Sequence, residues 1–135
     1  MTEYDYRFSK KERLCLKNEI SLLFEKGRPL TVHPLRLRYI LVDSDSDTKC
    51  KVLFSVPKKL FKRAVKRNLI RRKIREAYRL NKHLLTGSVP EGKHLLIAFV
   101  YLDNSPLAYN IIEDSVKKSL SMVEAAVRKK NIKYE

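Results

Sequence analysis

The chain has 135 residues, 44% of them hydrophobic, and thirty Lys and Arg against fifteen Asp and Glu leave a formal charge of +15. That length and apolar content suit one compact domain with its own core and exclude a disordered tail. Unbalanced charge on this scale destabilises a compact state by self-repulsion, so it implies an anionic partner, either nucleic acid or an acidic membrane surface.

In chain order, the first seventeen residues are mixed and polar and read as irregular. Asn18 is placed to cap a short helix with Ile20, Leu23 and Phe24 on one side and Gly27 as its stop. Pro29 and Pro34 hold the chain extended and leave room for a short strand at Pro29 to Val32. From Leu35 to Val42, Leu35, Leu37, Tyr39 and Leu41 alternate with Arg36, Arg38, Ile40 and Val42, the period of a strand. The polar run Asp43 to Thr48 lacks the glycine and distal Glu of an EF-hand loop and reads as a solvated turn. Val52 to Val56 is a second strand, rich in β-branched and aromatic residues, that runs into Pro57-Lys58-Lys59. A long helix is predicted from about Phe61 to Leu80, then a loop from Thr86 to Gly92. Leu95 to Tyr101 is almost continuously apolar, which predicts a central strand. Ser105-Pro106 signals the start of a last helix, with Ile111, Ile112, Val116, Leu120, Val123 and Val127 at helical spacing before a basic, fraying tail. The order is α, β, β, α, β, α: an α+β domain over residues 1–135 with flexible ends at 1–10 and 129–135, its two later helices on one face of a small sheet.

Little in the chain suits protein-based catalysis. Cys15 and Cys50 make no disulfide framework and no CxxC, and read as reduced, packed thiols. His33, His83 and His94 lack metal-ligand spacing and read as surface or loop residues. Three glycines form no phosphate loop. No apolar run reaches spanning length and Met1 to Lys10 carries no signal-like stretch, which predicts a soluble, cytoplasmic protein without a membrane partner.

Function concentrates between Lys58 and Lys82, where twelve Lys and Arg meet a single acid, Glu76. At about 100° per residue, Asn68, Arg71, Arg72, Arg75 and Arg79 share one arc of the helix, while Ile70, Ile74, Ala77 and Tyr78 share the opposite one. Arg63 and Arg67 fall on the apolar side, so they should lie near its end, snorkel or find a carboxylate. Arginine dominates, as bidentate phosphate recognition favours. Glu76 alone cannot balance these cations, and like charges at this spacing repel, so the face is read as a nucleic-acid surface rather than a solvated one.

The pattern by itself leaves DNA and RNA open. The run Phe54-Ser-Val-Pro-Lys-Lys59, followed by Arg63-Ala-Val-Lys-Arg-Asn68-Leu-Ile-Arg-Arg72-Lys-Ile-Arg-Glu-Ala-Tyr-Arg79, resembles the signature of the ribonuclease P protein family. Arg13-Leu14, Glu19, Ile20, Phe24 and Gly27 fit its N-terminal stretch. The resemblance implies a ribosomal-protein-S5-like α/β sandwich with a left-handed βαβ crossover through the basic helix, a hand that composition could not reveal. It implies docking on a catalytic RNA through Lys58, Lys59, Lys66, Arg67, Asn68, Arg71, Arg72 and Arg75, with Arg63 and Arg79 on the same surface. It further implies a cleft between the sheet and this helix for the single-stranded 5′ leader of precursor tRNA, with Phe24, Tyr39 and Ile20 as leader-facing positions. Ile20 stands where the family usually has Phe, and Leu69 replaces a frequent arginine, with Lys73 restoring a charge nearby. Catalysis would belong to the RNA and its Mg2+ ions, with no catalytic or metal-binding residue in the protein, an accessory subunit monomeric on its own. A ribosomal or other RNA-binding protein without a role in tRNA processing is the alternative. A DNA-binding module should carry a short helix before the basic one, where a strand stands here. A membrane-surface helix and a stand-alone nuclease lack, respectively, an unpartnered apolar face and clustered carboxylates.

Overall fold

The structure, a computed structural model, describes residues 8–44 and 48–133, the side chains of 86 and 130–133 excepted. The expected flexible ends at 1–7 and 134–135, and positions 45–47 of the acidic turn, lie outside the described residues. In chain order come a 3-10 turn at Lys10–Glu12, α1 (Lys17–Lys26), β1 (Arg28–Val32), β2 (Leu35–Asp43), β3 (Cys50–Ser55), α2 (Ala64–Asn81), the single turn α3 (His83–Thr86), β4 (Lys93–Tyr101) and α4 (Tyr109–Lys133).

The strands form one sheet in the order β1-β2-β4-β3. β2 pairs antiparallel with β1 and β4, and β3 runs parallel to β4. Parallel neighbours need a long crossover, which α2 supplies, giving the βαβ unit of the S5-like sandwich. β4 lies inside the sheet and is buried from His94 to Phe99, hence its unbroken apolar run.

Alternation along the strands loads the two faces differently. Leu35, Leu37, Val52, Leu95, Ile97 and Phe99 point to the layer made by α2 and α4, where they meet Ile70, Ile74 and Tyr78 of α2 and Ile112, Val116 and Leu120 of α4. An aromatic cluster fills the middle: Phe54 stacks on Phe99 at 5.8 Å, and Tyr78 presents its edge to both at 5.9 and 6.1 Å. Such pairs add about 0.5–1.5 kcal/mol each beyond their burial. On the other face, Leu96 and Ala98 join Leu14 and Leu23, with Ile20, Ile40, Val42 and Leu53 packed around them. Helix α1 therefore lies across the sheet from α2.

Several boundaries differ from the sequence reading, each for a tertiary reason. Residues before α1 are not wholly irregular: Leu14 is buried and its N–H donates to Val52 O at 3.0 Å. Helix α1 begins at Lys17, so Asn18 lies in its first turn and Leu16 takes the cap position. Helix α2 begins at Ala64 because Phe61 drops into the core beside Tyr101, 6.1 Å between rings. Helix α4 begins at Tyr109 rather than at Ser105-Pro106. The Tyr101 hydroxyl donates to Ser105 O (2.7 Å) and accepts from the Leu107 N–H (3.1 Å), holding that stretch as a loop. At its other end α4 runs to Lys133. Gly27 does end α1, but with a negative φ; a Cβ there would sit 2.2 Å from the Leu23 carbonyl oxygen, so close approach is what requires glycine. His94, expected near the surface, is buried in β4.

Candidate nucleic-acid interface

Helix α2 buries Ile70, Ile74, Ala77 and Tyr78 completely, which fixes its rotation about its own axis and turns the cationic arc outward. Lys66, Asn68 and Arg72 are exposed, and Arg71 and Arg75 half-buried. Lys58 and Lys59 are exposed in the turn after β3, closed by the Leu60 N–H on Pro57 O at 3.1 Å and anchored by buried Val56 and Phe61. Among the described residues no carboxylate lies within 4.0 Å of Lys58, Lys59, Arg63, Lys66, Arg67, Arg71, Arg72 or Arg75.

The start of α2 concentrates positive potential. Arg63 occupies the cap position without a side-chain capping bond, and the first turn holds no acid. Unsatisfied N–H groups and the positive end of the helix dipole thus face outward among Lys58, Lys59, Lys62, Arg63 and Lys66, an arrangement that favours phosphate.

Within the predicted set the residues divide by task. Arg67 neither snorkels nor meets a carboxylate: its Nη1 donates to the carbonyls of Phe61 (2.8 Å) and Lys62 (2.9 Å), bracing the turn that presents the lysines. Asn68 accepts from Arg71 Nη1 at 2.7 Å and fixes the direction of that guanidinium. Arg79 pairs with Glu76, whose carboxyl is held below its usual range by that bond, so this cation is compensated within the helix. Lys73 does not replace the arginine missing at Leu69. Its amine reaches Leu107 O at 3.1 Å, away from the exposed arc, and Leu69 remains half exposed.

The expected cleft between the sheet and the basic helix does not exist, because that space is the main core. Nor do the three leader-facing positions converge. Ile20 is half-buried against the second cluster. Phe24 is 40% exposed on α1, while Tyr39 is half-buried on the sheet face that carries α2 and α4. Open surface on the α1 side begins where its apolar contacts end. The next rung, Arg36–Val100–Ser55, runs from exposed to half-buried, with Arg38 beside it donating to Gly27 O at 3.4 Å. These arginines were legible as the polar side of the β2 alternation, yet only the placement of α1 shows that they share its face of the sheet.

Comparison with known proteins agrees with this architecture. A family model described as Ribonuclease P matches residues 8–124. The chain belongs to the ribonuclease P protein family. A ribonuclease P protein component of Porphyromonas gingivalis is 39% identical over 131 residues, 96% of both chains. One from Borreliella afzelii is 32% identical over 117 residues, covering 84% of this chain and 99% of that protein. The fold matches the RNase P protein of Staphylococcus aureus (TM-score 0.65, 19% identity, 83% of this chain and 94% of that one). It also matches that of Thermotoga maritima (TM-score 0.64, 21% identity, 82% and 96%). Among the described residues no three His, Cys, Asp or Glu side chains come together, and no helix is long and apolar enough to cross a membrane.

Proposed function

We propose that this chain is the protein subunit of an RNA-based ribonuclease P and assists removal of the 5′ leader from precursor tRNA. The observation that carries the reading is the cationic arc of α2, continuous with the Lys58–Lys59 turn and, among the described residues, within 4.0 Å of no carboxylate except Glu76 at Arg79. A folded catalytic RNA supplies the phosphates this surface needs. Lys58, Lys59, Arg63, Lys66, Arg71, Arg72 and Arg75 make the contacts, Arg67 and Asn68 hold them in place, and Arg79 contributes least.

The single-stranded leader occupies the groove on the α1 face, along Arg36, Arg38, Val100 and Ser55 with Phe24 at its margin. Aromatic stacking with backbone cations is how single strands are gripped without strict sequence preference. In this reading the RNA and its Mg2+ ions carry the cleavage chemistry, and the protein lowers repulsion between two polyanions. The protein is a cytoplasmic monomer before assembly.

The test is reconstitution. The purified chain, a bacterial ribonuclease P RNA and a precursor tRNA are combined at low magnesium, and leader release is followed. Strong stimulation is expected; tight RNA binding without stimulation would favour an RNA-binding protein outside tRNA processing.

A further inference from the structure

Two aliphatic side chains stand in the middle of the cationic face of α2. Val65 is 77% exposed and Leu69 48%, whereas Ile70 and Ile74 of the same helix are completely buried. The two are one turn apart, about 6 Å along the axis and about 40° around it. Arg72 follows about 20° beyond Val65 on one side, with Asn68 and Arg75 past it, and Lys66 lies about 60° beyond Leu69 on the other. The face is therefore an apolar strip between two cationic flanks rather than a continuous positive surface. Glu76, on the strip's side of the helix two turns farther on, is engaged with Arg79, so the strip ends after Leu69.

Packing within the chain does not call for these residues. A β-branched side chain at an exposed helix position loses rotamer freedom and gains no contact in the free protein. Apolar residues scattered singly over a surface need no partner, but these two adjoin each other inside the surface assigned to RNA. The flanks select the partner. Among the described residues no carboxylate lies within 4.0 Å of Lys66, Arg72 or Arg75. A second copy of the chain would press these cations against their equivalents, and two short side chains are too little apolar surface to hold a membrane. A polyanion suits both flanks. The strip has no ring, so it is no platform for an unpaired base, which is gripped by aromatic stacking. Aliphatic groups on a convex helix suit sugar carbons. Double-helical RNA displays its riboses in a wide, shallow minor groove, whereas its major groove is too deep and narrow for side chains to read.

We infer that Val65 and Leu69 rest on the riboses of a paired segment of the catalytic RNA, across its minor groove, with Arg72 and Lys66 reaching the phosphate strands on either side. This rests on the ribonuclease P reading and deepens it: α2 recognises the shape of an RNA helix as well as its charge.

The experiment uses the holoenzyme reconstituted with a bacterial ribonuclease P RNA. Val65→Ala with Leu69→Ala, and Val65→Ile with Leu69→Met, are compared with the unmodified protein for affinity to that RNA over a series of salt concentrations. Hydroxyl-radical footprinting, which reads the solvent exposure of each ribose, locates the contact. The double Ala protein is expected to bind about 10-fold more weakly, the loss of a few partly covered carbons. Its log–log salt slope should be unchanged, because no phosphate contact is removed, and riboses in one paired segment should become exposed. The Ile and Met protein keeps both affinity and footprint. Alanine is the better helix former at both positions, so a loss cannot come from fraying of α2. Unchanged affinity in the double Ala protein overturns the inference. So does a slope that falls by about one unit or more, which would mean that the pair acts through the cations, or newly exposed riboses confined to an unpaired stretch. Arg71→Ala with Arg75→Ala, run in parallel, separates the two failures. If only that protein loses assembly, the strip touches no RNA and the α2 reading stands; if it too binds normally, both fall.

Discussion

Lys82 Nζ lies 3.0 and 3.1 Å from the two carboxylate oxygens of Glu12, joining the end of α2 to the 3-10 turn that precedes α1. The lysine side chain is 8% exposed and the glutamate 19%. This contact ties the N-terminal segment, and through Leu14 the second core cluster, to the helix that bears the cations.

Breaking a buried pair by removing one partner strands the other charge. Glu12→Gln should therefore cost about 3 kcal/mol, the low end of the usual range because Glu12 keeps some contact with water. Glu12→Gln with Lys82→Met should recover much of that loss, since neither charge then remains. Urea unfolding of both proteins decides it: equal destabilisation by the single and double changes would remove the pair from the account.

RNA affinity should fall steeply with salt. If α2 and its turn neutralise roughly 5–8 phosphates, the log–log slope is about −4 to −7 by counterion release. Arg71→Ala with Arg75→Ala should reduce that slope by about 2 and abolish assembly at physiological salt, with the circular dichroism spectrum unchanged. A slope near one in the unmodified protein contradicts docking through this helix.

Burial pushes the His94 imidazole below its ordinary 6.5, aided by Lys51 and opposed by the Glu19 carboxylate 3.4 Å away. The unfolded chain then takes up a proton before the folded one as the solution is acidified. His94 thus contributes its full stability above 6.5 and loses it as pH falls below that value toward the folded pKa. Thermal unfolding at about pH 7.5 and 5.5 should show a smaller drop in Tm for His94→Gln than for the unmodified protein. Equal drops would assign the acid sensitivity to other groups.

The two thiols should differ in reactivity. Cys50 is buried in β3 beside the Tyr78 ring, and burial pushes its pKa up to about 12. Cys15 is free and exposed. Alkylation of the folded protein at about pH 8 should modify Cys15 alone, because the thiolate is the reacting species. Labelling of Cys50 at a comparable rate would mean that the main core opens readily.

Much of the candidate interface was readable in the chain because helical periodicity is a local property. The 100° advance that places Ile70, Ile74, Ala77 and Tyr78 on one side of α2 also places Arg71, Arg72 and Arg75 on the other, whatever the helix packs against. The same holds for β4, whose apolar run announces an interior strand, and for the β2 alternation. The position of α1 was not readable, because Leu23 and Ile20 would bury equally well against either face of a sheet.

The sequence by itself thus determined the basic face of α2 and the strands that support it, since each follows from spacing along a single element, while the family was legible only through the resemblance of its motifs. Tertiary structure alone decided that α1 covers the face opposite α2, which leaves core between α2 and the sheet and puts Arg36 and Arg38 on the α1 face. It also parted Phe24 from Tyr39, set Arg67 to bracing a turn and paired Lys82 with Glu12. Those outcomes depend on contacts between residues distant in the chain, where burial of the whole molecule, rather than any local period, selects the arrangement.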